Sequence, residues 1–362
     1  MTSSILIAAG GTGGHVFPAL AVATELMARG HELSWIGSNR GLEARVVSAA
    51  GIRLSELSFQ GLRGRGLLAW VRLPFGLVFA LLACWSWMRQ ESPRLVVVFG
   101  GYVSFPVAIA ARLMGRPVMV HEQNAVMGSA NRWISKWAKA VVVSFEKTRF
   151  APPESQWIGN PVRSELLSLT ACPERLTRRD GPLRVLVLGG SLGARPLNRS
   201  MPAALLSLSA AGVDYEVRHQ TGESGFEEGQ RHYRGCGVVA DITAFIEDMR
   251  SAYAWADVAV CRAGASTVAE MTAVGLPAIY VPLPHAIDDH QTANAAAVVA
   301  AGGAWMVKQS DNLAAELSTV LLGLDRDRLA GAADALRRIR PVDVEQRFLA
   351  LCESLIQAEK TA

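Results

Sequence analysis

The stretch SILIAAGGTGGHVFPALAVATELMARG, residues 4–30, decides the fold expected for this chain. It reads as a short continuous apolar run, a glycine-rich turn, and an Ala- and Leu-rich segment with helical periodicity that ends at Gly30. A strand, a glycine turn and a helix in this order are typical of the opening of an open parallel sheet. The same pattern recurs in LRVLVLGGSLGARPLNRSMPAALLSLSAAG, residues 183–212. The sequence therefore predicts two α/β units.

Further apolar runs of strand length extend both halves, and each is followed by a turn signal and a predicted helix, as in α/β folds with buried parallel strands. They cover residues 94–102, 116–124, 140–145, 256–265 and 276–284. Residues 160–184 are rich in Pro, Arg and Gly, which suits a domain connection. We expect an N-terminal domain over 1–163 and a C-terminal domain over 164–340. A helix within 341–362 either ends the chain in the ordinary way or packs back on the first domain.

Composition limits the classes of protein that remain. The chain has 362 residues, of which half are hydrophobic and 19% are charged, so it can bury the core of two globular domains. A formal net charge of +4 is too small to indicate a broad nucleic-acid footprint. Five scattered cysteines without a C-x-x-C pair suggest neither a disulfide framework nor a zinc site. The N-terminus has no basic leader, and we expect a cytoplasmic protein.

One apolar stretch does not fit an ordinary soluble domain. LPFGLVFALLACWSWM, residues 73–88, carries no charge, and it falls short of the roughly 20 residues that a helix needs to cross a bilayer. Four arginines surround it in sequence: Arg63, Arg65, Arg72 and Arg89. Three alternatives follow: a buried core helix, a marginal transmembrane span, or a helix lying in the membrane interface.

Two glycine loops occupy positions where open α/β sheets bind ligands, at the carboxyl ends of strands. They are GGTGGH, residues 10–15, and GGSLGAR, residues 189–195. Neither matches G-x-G-x-x-G or ends in the G-K-[ST] of a P-loop, which weakens a nicotinamide or P-loop ATP interpretation. One such loop in each domain, facing a shared cleft, favours a ligand that contains phosphate.

Two later segments carry polar groups that allow more than one interpretation. In CRAGASTVAE, residues 261–270, Thr267 and Glu270 have the spacing of a capping box, or the amides cradle a diphosphate while Glu270 binds a ribose. HAIDDHQTANA, residues 285–295, looks like a metal cluster but is more typical of a loop and a helix start. Gln291 and Asn294 lie one helical turn apart, which suits recognition of sugar hydroxyls.

Acid–base candidates come from the N-terminal half. HEQN, residues 121–124, ends an apolar strand and places ionisable groups where ligands bind. His15 follows a glycine loop at a predicted helix N-terminus, where the helix dipole disfavours the cationic imidazole. A neutral imidazole is the form that a general base requires.

The chain contains six motifs, in the order GGTGGH, HEQN, GNPVR, GGSLGA, CRAGASTVAE and PLPHAIDDHQTANA. In this order and at these distances, they closely resemble the motifs of the family of undecaprenyldiphospho-muramoylpentapeptide β-N-acetylglucosaminyltransferases. The resemblance covers essentially the whole chain. It implies the GT-B fold, an α/β architecture of two Rossmann-like domains with parallel sheets facing across a cleft. It also implies transfer of N-acetylglucosamine from UDP-GlcNAc to the muramoyl C4 hydroxyl of lipid I, an undecaprenyl-linked muramoyl pentapeptide, which gives lipid II and UDP for peptidoglycan synthesis.

The resemblance also assigns residues to the two substrates. Those expected against UDP-GlcNAc are Thr12, Gly13, Gly14, Asn124, Arg163, Ser191, Ile246, Ala265, Ser266, Thr267, Val268, Ala269, Glu270, Gln291 and Asn294. Those expected on the acceptor side are His15, Tyr102, Glu122 and Asn131. In this assignment the backbone of Ile246 contacts the uracil, residues 265–270 cradle the diphosphate, and Glu270 binds the ribose.

The implied reaction inverts the anomeric centre once, by direct attack through an oxocarbenium-like transition state. His15 is the first candidate for the base and Glu122 the second. Helix N-termini and Arg163 supply positive charge for the departing UDP, and no D-x-D pair stands out, so neither a metal nor another cofactor is expected.

A lipid acceptor explains why the chain carries the apolar stretch at residues 73–88. We expect peripheral attachment to the anionic cytoplasmic face of the inner membrane through about residues 63–89, with part of the segment contributing to the core of the first domain. Two rivals remain open: a UDP-GlcNAc 2-epimerase on the same architecture, and a non-catalytic membrane-surface module that binds a nucleotide sugar. No nucleic-acid partner is expected.

Overall fold

The chain folds into two compact units, each built on one parallel sheet. The computed structural model describes residues 4–38, 42–57, 59, 67–169, 176–190 and 193–361. Unit 1 comprises Met1–Arg163 and Pro341–Ala362, and unit 2 comprises Ser164–Arg340.

Within the described residues, the sheet of unit 1 has seven parallel strands in the order β3-β2-β1-β4-β5-β6-β7. The strands are β1 Ser4–Ala8, β2 Glu32–Ser38, β3 Arg53–Leu57, β4 Leu95–Val98, β5 Val118–Glu122, β6 Ala140–Val143 and β7 Gln156–Trp157. The order runs outward in one direction from β1 to β3 and in the other from β4 to β7. The boundary between β1 and β4 is therefore the switch point at which doubly wound sheets form a ligand crevice.

Helices cover both faces of this sheet, so its central strands are apolar on both sides. They are α1 Gly13–Ala28, α2 Leu42–Ala49, α3 Leu67–Glu91, α4 Ser104–Leu113 and α5 Ser129–Ser135. In β1, Ile5 and Ile7 belong to one core cluster, whereas Leu6 and Ala8 belong to the cluster on the opposite face. This alternation is what the period of two in a strand requires.

The described part of unit 2 also forms one parallel sheet, with six strands in the order β10-β9-β8-β11-β12-β13. The strands are β8 Leu183–Leu188, β9 Tyr215–Gln220, β10 Asp241–Thr243, β11 Val258–Cys261, β12 Ala278–Tyr280 and β13 Ala304–Met306. The helices are α6 Ser164–Leu167, α7 Arg195–Ala210, α8 Phe226–Cys236, α9 Met249–Trp255, α10 Ala265–Val274, α11 His290–Ala300, α12 Leu313–Leu322 and α13 Arg326–Ile339. The switch point of this sheet lies between β8 and β11.

The last helix, α14 Val344–Thr361, belongs to unit 1 although it follows unit 2 in sequence. Phe348 is fully buried and stacks on Phe99, which follows β4, with ring centroids 5.8 Å apart. Glu353 accepts a hydrogen bond from Arg29 at 3.1 Å. The end of the chain therefore completes one face of the first core.

Helix α3 contains the apolar stretch and is apolar on two opposite faces. Ala80, Cys84 and Met88 are buried in the core cluster on one side of the sheet. Phe75 and Phe79 project outward and are 68% and 71% exposed. Val78, Leu82 and Trp85 are also exposed, at the spacing of one helical face. The expected contribution of this segment to the core is confirmed. Among the helices that the structure describes, none combines the length and the hydropathy needed to cross a bilayer.

Candidate active site

The glycine loop after β1 is held in place by a buried carboxylate. Glu43 is 2% exposed, and its Oε1 accepts hydrogen bonds from the backbone N–H of Gly11 and from Ser38 Oγ, both at 2.7 Å. The facing loop after β4 comes so close that a Cβ at Gly101 would lie 2.3 Å from the carbonyl oxygen of Gly10. Gly101 also has a φ of +79°. Glycine is therefore required there on both steric and conformational grounds.

Helix α1 begins directly in this loop with open backbone donors. Thr12 is the N-cap in an extended conformation, and its hydroxyl makes no capping bond within the described part of the chain. The N–H groups of Gly13 and Gly14 belong to the first turn, which lacks intrahelical acceptors. Together with the helix dipole, these donors suit an anionic or polar ligand group.

His15 lies where the loops after β1, β4 and β5 meet. Its Nδ1 is 2.8 Å from Gln123 Oε1. A Cβ at Gly100 would come within 3.0 Å of His15 Cε1, so the loop after β4 lies directly against the imidazole. A Cβ at Gly11 would lie 3.4 Å from Tyr102 Cε1, which places the tyrosine ring beside the same loop.

Glu122 serves as the acceptor for the loop that follows β5. It is 1% exposed, and its Oε1 accepts from the backbone N–H and side-chain Nδ2 of Asn124, at 3.0 and 3.1 Å. Its Oε2 accepts from the N–H of Gly128 at 3.0 Å and from Asn131 Nδ2 at 2.8 Å. A carboxylate offers about four lone-pair positions, and four donors occupy them. This arrangement favours a positioning role for Glu122 over that of a base.

Asn131 adds a hydrogen-bond acceptor beside Glu122 and the loop after β4. It is 2% exposed, and its Nδ2 lies 3.4 Å from the position of a Cβ at Gly100. Its Oδ1 is buried and has no hydrogen-bond partner among the described residues. A buried amide oxygen without a donor is costly, so it suits a ligand hydroxyl.

In unit 2, the loop after β11 leads into a helix with an open first turn. Gly264 is the N-cap of α10, so Thr267 lies inside the helix and the capping-box interpretation of Thr267 and Glu270 is wrong. The helix begins at Ala265, earlier than a capping box would require, because Gly264 supplies the extended cap conformation without a side chain. Ser266 Oγ is buried and has no partner in the part of the chain that is described. The first turn of α10 therefore offers backbone N–H groups and one hydroxyl to an anion.

The other donor-side candidates of unit 2 surround this turn. Asn294 is fully buried, and its Nδ2 donates to the carbonyl of Ala263 in the loop before α10, at 3.1 Å. Gln291 accepts from the N–H of Leu283 through Oε1, at 3.0 Å. Both lie in α11, one helical turn apart, in agreement with the predicted helix start.

Ile246 is linked to the second glycine loop by a residue that the sequence did not single out. Gln220, at the end of β9, accepts from the N–H of Ile246 at 3.1 Å and donates through Nε2 to the carbonyl of Gly190 at 3.2 Å. In the sequence, Gln220 could have been recognised as the polar last residue of a strand that mixes polar and apolar residues. Ser191, in the same glycine loop, lies outside the described residues.

Each unit thus gathers its own set of predicted residues at the carboxyl ends of its central strands. Unit 1 holds Thr12, Gly13, Gly14, His15, Tyr102, Glu122, Asn124 and Asn131 around the ends of β1, β4 and β5. Unit 2 holds Ile246, residues 265–270, Gln291 and Asn294 beyond β10, β11 and β12. Arg163 is half-buried at the last position of the first segment of unit 1.

The HAIDDH segment forms a short turn rather than a cluster of ligands. Asp288 and Asp289 are exposed and adopt φ values of +52° and +51°. Across the described ranges, no group of three or more His, Cys, Asp or Glu side chains could hold a metal ion.

Two parallel sheets, each with a glycine loop and an open helix N-terminus beside its switch point, are typical of GT-B glycosyltransferases. The calicheamicin glycosyltransferase CalG4 shares this fold, with a TM-score of 0.69 over 98% of both chains at 18% identity. The chain therefore belongs to the class of two-domain proteins with the GT-B fold.

The chain belongs to glycosyltransferase family 28. The N-terminal domain of that family matches residues 5–143, and its C-terminal domain matches residues 184–342. The crystal structure of Acinetobacter baumannii MurG is similar over 97% of this chain and 99% of its own, with 37% identity and a TM-score of 0.82.

Two curated relatives illustrate the similarity over the whole chain. The UDP-N-acetylglucosamine--N-acetylmuramyl-(pentapeptide) pyrophosphoryl-undecaprenol N-acetylglucosamine transferase of Halorhodospira halophila is 46% identical over 97% of this chain and 98% of its own length. The protein of the same name from Pseudomonas fluorescens is also 46% identical, with the same coverage.

Proposed function

We propose that this chain transfers N-acetylglucosamine from UDP-GlcNAc to the muramoyl C4 hydroxyl of lipid I, forming lipid II and UDP. The proposal rests on the 46% identity between this chain and transferases that are named for this reaction. The aligned region extends across both units. The donor sugar is α-linked and the product is β-linked. A single direct displacement accounts for this inversion, with one base and a stabilised leaving group.

His15 is the proposed base. Its imidazole is half-buried beside the open first turn of α1 and next to Tyr102 and Asn131, the proposed acceptor-side residues. Glu122, the second candidate, already accepts four hydrogen bonds. In the proposed mechanism Glu122 shapes the acceptor side and His15 takes the proton.

The proposed leaving-group site is the first turn of α10. The diphosphate would accept from its backbone N–H groups and from Ser266 Oγ, which is otherwise buried without a partner among the described residues. Glu270 binds the ribose hydroxyls in this proposal. Gln291 presents its NH₂ group to the sugar, because its oxygen already accepts from Leu283. Arg163 and Asn124 complete the donor contacts.

The proposed contact with uracil can be narrowed to one atom of Ile246. The N–H of Ile246 donates to Gln220, so the carbonyl oxygen is the group left to receive the N3–H of uracil. This contact would distinguish uracil from cytosine, which has no hydrogen at N3.

The proposed location of the protein is the cytoplasmic face of the inner membrane, to which it attaches peripherally. The outward face of α3 carries Phe75, Val78, Phe79, Leu82 and Trp85. Such a contiguous apolar face is unusual on a monomer surface and suits burial in the interface of a bilayer. Arg89, exposed in the last turn of α3, suits an anionic headgroup. Arg63 and Arg65 lie outside the described residues, as does the side chain of Arg72.

The reaction can be tested directly. Purified protein is incubated with UDP-GlcNAc and a short-chain lipid I analogue in the presence of a chelator, while UDP release and the disaccharide product are followed. We expect a β-1,4-linked disaccharide formed in proportion to UDP. Assays without acceptor measure hydrolysis of the donor and provide the control.

The rival functions give different results in the same assay. An epimerase would convert UDP-GlcNAc into UDP-N-acetylmannosamine without any acceptor and without release of UDP. A non-catalytic module would bind UDP-GlcNAc and release no UDP, with or without added magnesium. Either result would overturn the proposed transfer.

A further inference from the structure

Gln123 lies between two imidazole rings, and the chemistry of its neighbours fixes which way its amide faces. Its Oε1 is 2.8 Å from His15 Nδ1. Its Nε2 is 3.0 Å from the carbonyl oxygen of His121 and 3.1 Å from His121 Nδ1. A carbonyl oxygen only accepts hydrogen bonds, so the group facing it must be the NH₂. The amide oxygen therefore faces His15.

His121 supports this orientation from the other side. It is fully buried, and its Nε2 lies 3.1 Å from the carbonyl oxygen of Gly159, to which it donates. The rings of Phe99 and Phe348 meet it edge to face, with centroids 5.2 and 5.4 Å away. Burial lowers the pKa of His121 to about 4, so the ring is neutral at pH 7 and its Nδ1 accepts from Gln123.

We infer that Gln123 is a positioning residue that holds His15 in the Nδ1–H tautomer. Because Gln123 Oε1 can only accept, His15 Nδ1 must carry the hydrogen, and Nε2 of the neutral ring keeps its lone pair. The inference rests on the proposed function, in which His15 is the base. As the acceptor oxygen bonds to the anomeric carbon, its proton passes to His15 Nε2. The bond from that carbon to UDP breaks, and its electron pair leaves with the diphosphate.

An amide partner differs from a carboxylate in its effect on the base. A carboxylate beside Nδ1 would stabilise the imidazolium strongly and shift protonation of His15 to higher pH. The neutral amide fixes the same tautomer with a smaller electrostatic effect. Gln123→Glu keeps an oxygen toward His15 and adds charge. Its second oxygen faces the carbonyl oxygen and Nδ1 of His121, two acceptors to which the amide had donated, so we expect this variant to be less stable than the wild type.

The first test is the tautomer itself, measured by ¹⁵N NMR on enzyme labelled at its seven histidines, with His15→Gln identifying the resonance. We expect Nδ1–H for His15 and Nε2–H for His121. Nε2–H at His15 in the wild-type enzyme would overturn the inference. The measurement needs no turnover, so an Nδ1–H tautomer in a protein without transferase activity would contradict the proposed function alone.

The second test is kinetic. We expect Gln123→Leu to lower kcat about 10- to 100-fold, as part of the proton-transfer contribution is lost, with the KM for UDP-GlcNAc changed less than about twofold. Gln123→Glu, which keeps an acceptor toward His15, should have a higher kcat than Gln123→Leu and move the acidic limb of the pH profile of kcat/KM to higher pH. A Gln123→Leu enzyme with normal kcat would overturn the inference. So would a parallel loss of UDP-GlcNAc affinity in both variants, or a kcat of Gln123→Glu no higher than that of Gln123→Leu with an unshifted pH profile, either of which would indicate a merely structural role.

Discussion

The hydroxyl of Tyr253 donates a 2.6 Å hydrogen bond to Glu270 Oε2. Tyr253 is buried in α9, and Glu270 is half-buried in the second turn of α10, so the bond joins two helices. A carboxylate acceptor makes this a charge-assisted bond, which is stronger than a bond between neutral groups. Tyr253 therefore sets the direction of the carboxylate that we propose for the ribose.

Tyr253→Phe should weaken binding of UDP-GlcNAc about 10-fold, because loss of one hydrogen bond to a charged group costs about 1.5 kcal/mol or more. We expect kcat to change much less, since the ribose is remote from the reacting carbon. Titration calorimetry measures the change in Kd. Tyr215→Phe is the matched control, because that hydroxyl pairs with Ser209 on the surface. Unchanged affinity in Tyr253→Phe would argue against a ribose role for Glu270.

His15→Ala should lower kcat by about 10²- to 10⁴-fold, the usual contribution of general acid–base catalysis. The Kd for UDP-GlcNAc should barely move, because the imidazole acts on the acceptor in the proposed mechanism. Single-turnover assays with saturating donor separate the two quantities. His285→Ala, at an exposed position, provides the control. A normal kcat in His15→Ala would remove His15 as the base.

Glu122→Gln should lower thermal stability and activity together. The new NH₂ group must face a donor, either the N–H of Gly128 with Asn131 Nδ2 or the two donors of Asn124, and each unsatisfied donor costs about 1–3 kcal/mol. Thermal denaturation and kcat are measured in parallel, with exposed Glu146→Gln as the control. A variant with full stability and no activity would instead restore Glu122 as a candidate base.

Phe79→Glu should reduce binding of the protein to vesicles that contain anionic lipid by at least about 10-fold, since burial of one Phe contributes about 1.5–3 kcal/mol. Turnover of a soluble short-chain acceptor should be unchanged. Vesicle cosedimentation measures the binding, and Val239→Glu, at a 91% exposed position of unit 2, is the control. Equal loss in both variants would indicate a general charge effect. For the wild type, release from membranes only on full solubilisation of the bilayer would favour a span.

The repeated β-loop-α pattern could be predicted because each part of it is local. A continuous apolar run, glycines and helical periodicity follow one another at β1 and α1, and again at β8 and α7, and the structure confirms both. Strands with polar positions were missed, as in RLSEL at Arg53–Leu57 and DIT at Asp241–Thr243. Their pairing with a neighbouring strand, rather than their own pattern, determines the conformation. The apolar run 94–102 predicted a longer strand than the structure forms. The strand covers only Leu95–Val98, because the glycines of the run belong to the loop at the site.

The residues of the candidate site likewise divide into those that the sequence predicts and those that it does not. Glycines and ionisable residues at strand ends could be recognised from sequence, whereas the residues that orient them could not. Glu43 lies 32 positions from Gly11 and contacts it only because β1 and β2 are neighbours. Gln123 lies 108 positions from His15, and their contact depends on the adjacency of β1, β4 and β5. Such partners depend on strand order, which a single sequence does not reveal.

Each unit contains one fully buried histidine, and together they make the stability of the fold depend on pH. Burial lowers the pKa of His121 to about 4 and that of His219 to about 3. In unit 2, His219 Nδ1 lies 2.8 Å from the hydroxyl of Tyr233, and its Nε2 lies 3.0 Å from Asn198 Oδ1. Asn198 Nδ2 donates to the carbonyl of Thr221, so its oxygen faces the histidine, and Nε2 carries the hydrogen. Both networks require a neutral ring.

Acidification should therefore destabilise both units, beginning near pH 6.5. Below that pH the unfolded chain binds a proton at each histidine and the folded chain does not, so the free energy of unfolding falls by about 1.4 kcal/mol per pH unit for each residue. The fall ends near pH 4 for His121 and near pH 3 for His219, where the folded state also binds the proton. Above pH 6.5 neither contributes a slope. Urea unfolding at pH 7.5 and pH 5.0 measures the difference. Substitution of His219 by Gln should reduce the difference, whereas substitution of exposed His285 by Gln should not. A stability independent of pH across this interval would contradict the assignment of neutral rings.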